Sequence, residues 1–470
     1  MAIDLKIEDE AVKKISAQQA FDWNILPIKI ENNFLQIGTS FPGDKKLIED
    51  ISFFTGLKIK TLKLSSEIIV EYLKKIYGDD PAINKDNSQQ SKNLQNEHSN
   101  VELINKLIEE AIENSVSDIH FESFENNYRV RFRIDGHLRE VMNLPIQRSA
   151  QISSRVKIMA GLDISEKRKP QDGKIKYKLK SNDVDIRVST LPTNFGEKTV
   201  LRILDKSHLE LDIEKLGLFD DQLRIIKKNL ERPYGMILVT GPTGSGKTTS
   251  LYSFLQNIHR IDKNILTVED PIEYNLYGIN QCNVKPDIGF NFASALRSFL
   301  RQDPDIIMVG EIRDRETADI AVRAALTGHL VFSTLHTNDS SSAITRLIDM
   351  GVDSFLVAAS VKLIIAQRLI RKLCNCKIRT NSSGNGSQSQ LYVKCGCVEC
   401  GQTGYKGRTA LFEVLEITDE ISEMISVDAS ISQIKNRALE KGFLTLRQSG
   451  LKKIQLGITT NEEVIRETTL

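Results

Sequence analysis

The sequence has no excess of charge of either sign and no segment that resembles a secretion signal. Lysine and arginine number 63, and aspartate and glutamate number 62, among 470 residues. No global basic charge therefore draws the protein towards nucleic acid or an anionic bilayer. The first ten residues, MAIDLKIEDE, are acidic and contain no basic region followed by an apolar stretch, so we do not expect a signal peptide. We expect a cytoplasmic protein.

Long hydrophobic runs without charge are also missing. The most apolar long stretch, residues 352–370, is interrupted by Asp353, Lys362, Gln367 and Arg368. Charged side chains at the centre of a bilayer cost ~2.5–3.5 kcal/mol each on insertion scales. We therefore interpret this stretch as a buried or interface helix and not as a membrane span.

Cysteine is scarce and unevenly placed. The chain has six cysteines, of which five lie between Cys374 and Cys400. In a reducing compartment this distribution argues against a disulfide framework and indicates a metal site.

Composition and periodicity divide the chain into segments. Residues 79–100 are polar and contain Pro81, which predicts a flexible linker. Apolar strands at 236–240, 265–268, 306–309 and 330–334 alternate with helical segments, as in a largely parallel sheet covered by helices. The predicted segments are a small α/β module at 1–78, the linker at 79–100, a mixed α/β (PAS-like) domain at 101–206, an α/β core at 207–373, a cysteine-rich loop at 374–400 and a helical region at 401–470.

Three arginines alternate with apolar residues in a predicted strand at 128–134. Arg129, Arg131 and Arg133 must share one face of that strand. On spacing alone, a solvated sheet face is the favoured interpretation. A second segment, Thr380 to Gln390, is polar enough to predict a disordered loop.

A glycine-rich segment between the predicted strand at 236–240 and a helix beginning near Lys247 matches the phosphate-loop pattern GxxxxGK[ST]. Glycines allow the backbone amides to point at phosphate oxygens, and the helix N-terminus adds a favourable dipole. Lys247 is expected to reach the β- and γ-phosphates of a nucleotide, and the Thr248 hydroxyl to help hold Mg²⁺. An ordinary glycine-rich turn is the alternative, which the flanking elements disfavour. The predicted nucleotide-binding residues are Gly241, Pro242, Thr243, Gly244, Ser245, Gly246, Lys247, Thr248 and Thr249.

An apolar strand that ends in a carboxylate follows the phosphate loop. In residues 305–311, DIIMVGE, Glu311 takes the place where a generic Walker B strand carries aspartate. Glu311 is a candidate to orient the attacking water or to hold the water shell of the metal. The sequence thus predicts an α/β fold: a P-loop NTPase (RecA-like) domain preceded by a mixed α/β domain and a small N-terminal α/β module.

Three long motifs after the phosphate loop resemble those of the secretion traffic ATPases. Residues 265–274, ILTVEDPIEY, resemble their acidic Asp box, residues 301–314 their Walker B segment, and residues 326–337, LTGHLVFSTLHT, their His box. The family comprises the ATPases of type II secretion, of type IV pilus assembly and retraction, and of competence pili. The resemblance runs from about Val101 to the C-terminus, and more weakly back to Ala11.

The resemblance implies a hexamer with the nucleotide between the middle domain and the P-loop domain. It implies that Arg187 and Arg202 meet the nucleotide phosphates, and that Glu269 and Glu273 join Glu311 around Mg²⁺ and water. His336 would touch the γ-phosphate, whereas His329 would support the fold. Without the resemblance, the two arginines would be interpreted as surface residues.

In the assembly branch of the family, two CxxC pairs hold zinc. Here the second pair, Cys397 and Cys400, is intact, but the first is contracted to Cys374 and Cys376. The resemblance therefore implies a zinc site of Cys374, Cys376, Cys397 and Cys400, with Cys395 as the alternative ligand. The retraction branch generally lacks this cluster, which favours assembly or secretion.

The first module resembles the domain that docks such ATPases to an inner-membrane platform protein. The implied enzyme hydrolyses ATP at the inner face of the membrane, which it reaches through partners, and uses the energy to add pilin subunits. A retraction motor, a DNA-uptake motor and a nucleotide-regulated scaffold with little turnover are the alternatives. Some relatives bind cyclic di-GMP through an additional N-terminal segment that this sequence does not show, so we do not expect that ligand. A nucleic-acid motor is disfavoured by the balanced charge.

Overall fold

The computed structural model describes residues 7–31, 33–43, 47–48, 51–52, 55, 57–77, 90–179, 182–204, 211–382 and 389–469. The chain forms two compact units, Met1–Asn105 and Lys106–Leu470. None of the helices in the described ranges is both long and apolar enough to cross a membrane.

The first unit packs helices against a three-stranded sheet. Its elements are α1 (Asp9–Val12), α2 (Ala17–Asp22), β1 (Ile25–Glu31), β2 (Phe34–Thr39), β3 (Lys58–Lys63) and α3 (Ser66–Tyr77). The sheet order is β1-β2-β3, with β1 antiparallel and β3 parallel to β2. Apolar residues of β1, β2 and α3, such as Leu26, Ile37 and Ile69, form its core. The strands predicted at 26–28 and 34–37 and the helix predicted at 67–77 are confirmed.

The linker prediction is wrong in its last part. Residues 78–89 lie outside the described range, but helix α4 (Gln90–Glu113) already begins at Gln90. The apolar spacing from Val101 onward predicted only the second half of this helix. A helix that has nucleated there adds each further residue with one more hydrogen bond, so polar residues can extend it towards the N-terminus.

The second unit begins with a six-stranded antiparallel sheet. Its strands are β4 (Asp118–Ser123), β5 (Asn127–Ile134), β6 (His137–Pro145), β7 (Gln171–Leu179), β8 (Asn182–Thr193) and β9 (Gly196–Leu204). They lie in the order β6-β5-β4-β9-β8-β7, and helix α5 (Ser149–Ala160) contacts β7 and β9. One sheet face carries buried apolar side chains such as Phe121, Val130 and Leu201. The opposite face carries the charged residues.

A seven-stranded sheet follows, parallel except for its last strand. Its strands are β10 (Gly235–Thr240), β11 (Ile265–Glu269), β12 (Asn280–Asn283), β13 (Ile306–Val309), β14 (Leu330–Leu335) and β15 (Val361–Leu373); after a separate hairpin of β16 (Ile378–Ser382) and β17 (Ser389–Val393) comes β18 (Tyr405–Glu416). The order is β12-β11-β13-β14-β10-β15-β18, with β18 antiparallel to β15.

Helices cover both faces of this sheet. They are α6 (Asp220–Leu230), α7 (Lys247–Ile258), α8 (Phe292–Phe299), α9 (Arg315–Leu326), α10 (Ser341–Asp349), α11 (Ser354–Ser360), α12 (Asp419–Ser426), α13 (Ile431–Glu440), α14 (Leu446–Gln455) and α15 (Asn461–Thr468). Successive residues of β10 point to opposite faces of the sheet and enter different hydrophobic cores. Leu238 packs in the core that contains Leu296 and Ala321, and Val239 packs in the core that contains Phe254. Burial on both faces explains why the strands are continuously apolar.

Three predictions in this region are wrong. The apolar stretch at 352–370 is not one helix but the short helix α11 followed by β15, which lies between β10 and β18. A continuous apolar run does not distinguish a buried strand from a buried helix. The polar segment at 380–390 includes residues of the paired strands β16 and β17, with 383–388 outside the described range. The predicted helical region at 401–470 begins with strand β18, and its helices start at Asp419.

Candidate functional site

The phosphate loop leaves the buried strand β10 and enters α7 at Lys247, as predicted. Gly241, Gly244 and Gly246 have φ angles of 147°, 81° and 89°, which side chains other than glycine rarely adopt. A Cβ atom on Gly241 would also lie 2.5 Å from the backbone oxygen of Gln367. The loop can therefore curl tightly only because these positions are glycine, and the first turn of α7 presents its free amides at the loop.

Lys247 is half-buried beside the loop. Its Nζ donates to the backbone oxygens of Gly241 at 2.8 Å and Pro242 at 3.0 Å. Burial lowers the pKa of Lys247, the charge of Glu311 opposes that shift, and the charge of Arg368 adds to it. An ammonium group in such surroundings gains much from a nearby anion.

Parallel strands bring the predicted acidic and histidine motifs to the same sheet edge. Glu311 follows β13 and His336 follows β14, and the two strands are neighbours. The His336 Nε2 lies 3.2 Å from Glu311 Oε2, and Arg313 forms an ion pair with the same carboxylate. Burial alone would raise the pKa of Glu311, but Arg313 and His336 together hold it below its usual range. Glu311 is therefore ionised near neutral pH, as a base or a water-orienting group must be.

The His box loop is also tied to the phosphate loop. The Thr337 hydroxyl lies 2.6 Å from the Thr240 hydroxyl, at the last residue of β10. His329, in contrast, lies immediately before β14, where its Nδ1 is 3.0 Å from the Ala324 backbone oxygen at the end of α9. The position of His329 agrees with a role in the fold and not in the site.

Glu269 ends β11 and is buried. Its carboxylate accepts hydrogen bonds from the Thr267 hydroxyl at 2.6 Å and from Gln281 Nε2 at 3.0 Å. The Tyr252 hydroxyl of helix α7 donates to it as well. Both oxygens of Glu269 thus accept hydrogen bonds inside the protein. The residue links α7, the helix that follows the phosphate loop, to strand β11.

The second glutamate of the Asp box pairs with a predicted arginine. Arg187 Nη2 lies 2.9 Å from Glu273 Oε2, and also donates to the Ile272 backbone oxygen at 3.1 Å. Arg202 is the direct cross-strand partner of Arg187, so both side chains leave the same face of the sheet. Arg202 Nε donates to Asp118 at 2.9 Å. The structure therefore brings both arginines to the sheet face that meets the Asp box.

The three arginines of β5 share that face, and their partners are two buried carboxylates. Arg129 and Arg131 lie 3.1 Å and 2.8 Å from Glu122, and Arg133 lies 3.4 Å from Asp118. This face is an ion-paired surface rather than the purely solvated one that spacing favoured.

Sequence reasoning missed two polar residues of β15. Gln367 and Arg368 counted only as interruptions of a presumed helix, but in the structure they follow Ala366, the partner of Thr240. Gln367 Oε1 accepts a hydrogen bond from Ser250 of α7 at 2.8 Å, and Arg368 Nη2 donates to Asn338 at 3.0 Å. The sequence did contain a signal for these residues. A run of Val, Leu and Ile is typical of a buried strand, and a polar pair within such a run indicates side chains with a specific role.

The cysteine segment forms a compact group of thiols. The sulfur atoms of Cys374, Cys376, Cys397 and Cys400 all lie within 4.8 Å of one another. Three of the distances are 3.8 Å for Cys374 to Cys397, 3.9 Å for Cys376 to Cys400 and 3.7 Å for Cys397 to Cys400. A tetrahedron with Zn–S bonds of ~2.3 Å has edges of ~3.8 Å.

Backbone amides complete this arrangement. Cys400 Sγ accepts hydrogen bonds from the amides of Cys397 and Gly404, both at 3.2 Å. Burial alone would raise the pKa of Cys400, but these donors lower it below its ordinary value. Cys395 is exposed and is not part of the group. The donor set fits a closed tetrahedral metal site made of the four predicted residues, with Cys376 and not Cys395 as the fourth.

The sequence matches known proteins over nearly its whole length. The profile described as Type II/IV secretion system protein matches residues 93–466, and that of the MshEN domain matches residues 3–83. The Type IV pilus assembly ATPase PilB of Myxococcus xanthus (strain DK1622) is 44% identical over 496 residues, covering 99% of this chain and 88% of the relative. Type II secretion system protein E of Dickeya dadantii (strain 3937) is 48% identical over 376 residues, covering 78% of this chain and 75% of the relative.

A solved structure agrees with the fold. The ATPase DotB of Legionella pneumophila aligns with a TM-score of 0.60 and 21% identity, covering 77% of this chain and 94% of that one. The predicted P-loop fold class and the resemblance drawn from the three motifs are confirmed. The chain belongs to the Type II/IV secretion system protein family.

Proposed function

We propose that the protein is a motor that hydrolyses ATP to drive assembly of type IV pilus or type II secretion pseudopilus subunits. The observation that carries the proposal is the geometry of one sheet edge. The phosphate loop after β10, Glu311 after β13 and His336 after β14 all meet there. Ligands of parallel α/β sheets bind at the carboxyl ends of the strands.

The residues of this edge divide the chemistry between them. Residues Gly241 to Thr249 bind the phosphates, with Lys247 as the cation of the loop. Glu311 accepts a hydrogen bond from the attacking water and orients it towards the γ-phosphate. His336 contacts Glu311, and we propose that it reports the presence of that phosphate to the rest of the domain.

A divalent cation belongs to this chemistry. Mg²⁺ neutralises phosphate charge when it is bound with ATP. Thr248 at the start of α7 is the residue proposed to hold it, and Glu273 and Glu311 would orient its bound water. Glu269, which the family resemblance also assigns to this group, has its oxygens engaged by Tyr252, Thr267 and Gln281. We propose that Glu269 contributes mainly by holding strand β11 against α7.

Arg187 and Arg202 are proposed to stabilise the charge that spreads over the γ-phosphate oxygens during transfer. Guanidinium groups suit that task because they donate two parallel hydrogen bonds. They lie on β8 and β9, outside the P-loop domain, so a movement of the two domains against each other would bring them to the nucleotide or remove them from it. Such movements around a hexameric ring would turn ATP hydrolysis into mechanical work.

The assembly role is supported by the relatives and by the cysteines. The likeness to PilB of Myxococcus xanthus extends over 99% of this chain. The four-thiol group is the feature that the assembly branch has and the retraction branch generally lacks. We propose that it holds one structural zinc, that the N-terminal module docks to an inner-membrane platform protein, and that the enzyme works at the cytoplasmic face of that membrane.

Phosphate release by the purified full-length protein tests the enzymatic part. We expect Mg²⁺-dependent hydrolysis that is lost in Lys247→Ala, because that variant removes a cation from a cluster of phosphate charge. Lys227→Ala is the matched control, since Lys227 forms a surface pair with Glu214 at 2.9 Å. Wild-type protein that binds ATP but releases no phosphate would indicate a nucleotide-regulated scaffold instead.

The same two variants test the cellular part. In a strain without the wild-type gene, Lys227→Ala should restore surface filaments or secretion, and Lys247→Ala should restore neither. Counting pili and secreted protein separately identifies the filament that is served. If cells with Lys247→Ala assemble filaments normally but fail to retract them, the assembly role would be contradicted.

A further inference from the structure

Arg368 lies at the phosphate loop without belonging to any of the motifs that define it. It sits on β15, two residues after Ala366, which pairs with the last residue of β10. The strand that precedes the phosphate loop and the strand that carries Arg368 therefore run side by side to the same sheet edge.

The side chain of Arg368 reaches across that edge. Its Nη2 donates to Asn338 at 3.0 Å, and Asn338 follows β14, the strand on the opposite side of β10. Arg368 must therefore pass over the end of β10, where the phosphate loop begins. Asn338 stands two residues after His336, so the same contact fixes the loop that approaches Glu311.

One donor of this guanidinium is unused. Within the described part of the chain, Arg368 Nε is buried and has no hydrogen-bond partner. A buried donor without a partner is unfavourable, and more so when the group is charged. The charge of Arg368 also acts on Lys247, whose pKa it lowers. A second cation whose charge acts on Lys247 and that keeps a free donor is expected where an anion is to be bound.

We propose that Arg368 is a further ATP-binding residue, which places a second fixed positive charge beside Lys247 at the phosphates and holds the His336 loop through Asn338. The inference rests on the proposed ATPase function and deepens it. Arg368 Nη2 stays on Asn338, and the remaining donors of the guanidinium are left for a phosphate oxygen. Binding of the phosphates and placement of His336 are thereby coupled through one side chain.

Calorimetric titration of the full-length protein with the non-hydrolysable analogue AMPPNP and Mg²⁺ separates the two contributions. Arg368→Gln, which removes the charge, should raise the Kd about tenfold or more, because the phosphates lose a cation at close range. Arg368→Lys keeps the charge and should stay within about threefold of wild type. Asn338→Ala keeps Arg368 and should bind AMPPNP normally, but should lower kcat because the His336 loop loses a tie.

Lys362→Gln is the matched control, since it removes a cation from the same strand about 20 Å away from Arg368. Circular dichroism confirms that each variant is folded, and Arg368→Met replaces Arg368→Gln if the latter is not. A folded Arg368→Gln or Arg368→Met with wild-type Kd overturns the inference. If neither variant folds, Asn338→Asp is measured instead, because it places a carboxylate beside the Arg368 guanidinium. A Kd for AMPPNP equal to that of Asn338→Ala then overturns the inference. Failure of wild-type protein to bind AMPPNP would instead reject the proposed function.

Discussion

Glu311→Gln is the variant that examines the proposed chemistry most directly. The amide has nearly the shape of the carboxylate, and the side chain is only 15% exposed, so the site should keep its packing. The lost charge weakens the contacts with Arg313 and His336, but these partners are 60% and 51% exposed and well screened. We expect the free energy of unfolding to fall by no more than about 1 kcal/mol.

The effect on the reaction should be far larger. A positioned base contributes about 10²–10⁴-fold to a rate, so kcat should fall by about 10³-fold, which corresponds to about 4 kcal/mol in the barrier. Binding of AMPPNP should remain within about threefold of wild type, because Glu311 repels phosphates and its charge is not needed to hold them. Phosphate release under single-turnover conditions and calorimetric binding give the two quantities.

The pH dependence follows from the same contacts. Arg313 and His336 hold the pKa of Glu311 below its usual range, so the carboxylate is ionised above that pKa and is protonated only as pH falls through it. Between pH 6 and 8 the wild-type rate should therefore show no loss that arises from Glu311. Glu316→Gln, at an exposed position on α9, is the control and should keep full activity. The reasoning is refuted if Glu311→Gln releases phosphate at the wild-type rate in a preparation in which Lys247→Ala is inactive.

Four further predictions concern other parts of the molecule. Arg202→Ala should lower kcat by up to about 10³-fold and leave AMPPNP binding nearly unchanged; a loss equal to that of Arg129→Ala on the same sheet face would show that only the surface charge matters. Tyr252→Phe should lower the free energy of unfolding by about 1–3 kcal/mol in urea denaturation, because the buried carboxyl group of Glu269 loses a hydrogen-bond donor, whereas the control Tyr277→Phe, at a position 92% exposed, should change nothing. Elemental analysis of protein purified without chelator should find one zinc per chain, lost in Cys376→Ser and kept in Cys395→Ser; less than about a tenth of an equivalent in wild type would exclude the site. Deletion of residues 1–97 should leave ATP hydrolysis largely intact and abolish filament assembly in cells, and a folded truncated protein without hydrolysis would contradict this division of labour.

Local sequence was sufficient for the parts of the site whose chemistry depends on neighbours in the chain. The phosphate loop requires three glycines at fixed spacing and a helix that starts at Lys247, and both are readable because backbone freedom and capping are local properties. The buried strands at 236–240 and 306–309 were equally clear, since short apolar runs between turns are typical of a parallel sheet. A metal site could be predicted from the clustering of five cysteines, and the choice of four ligands followed from the family resemblance.

Tertiary structure decided what no local pattern records. Residues 352–370 are mostly apolar with only scattered polar residues, so periodicity could not distinguish a helix from a strand, and only pairing with β10 and β18 shows the strand. That pairing in turn places Arg368 at the phosphate loop. Cross-strand register likewise sets Arg187 beside Arg202 and aims Arg187 at Glu273, while packing turns Glu269 inward to Tyr252. These relations join residues far apart in the chain, and they depend on which strands are neighbours, which the sequence of each strand alone does not specify.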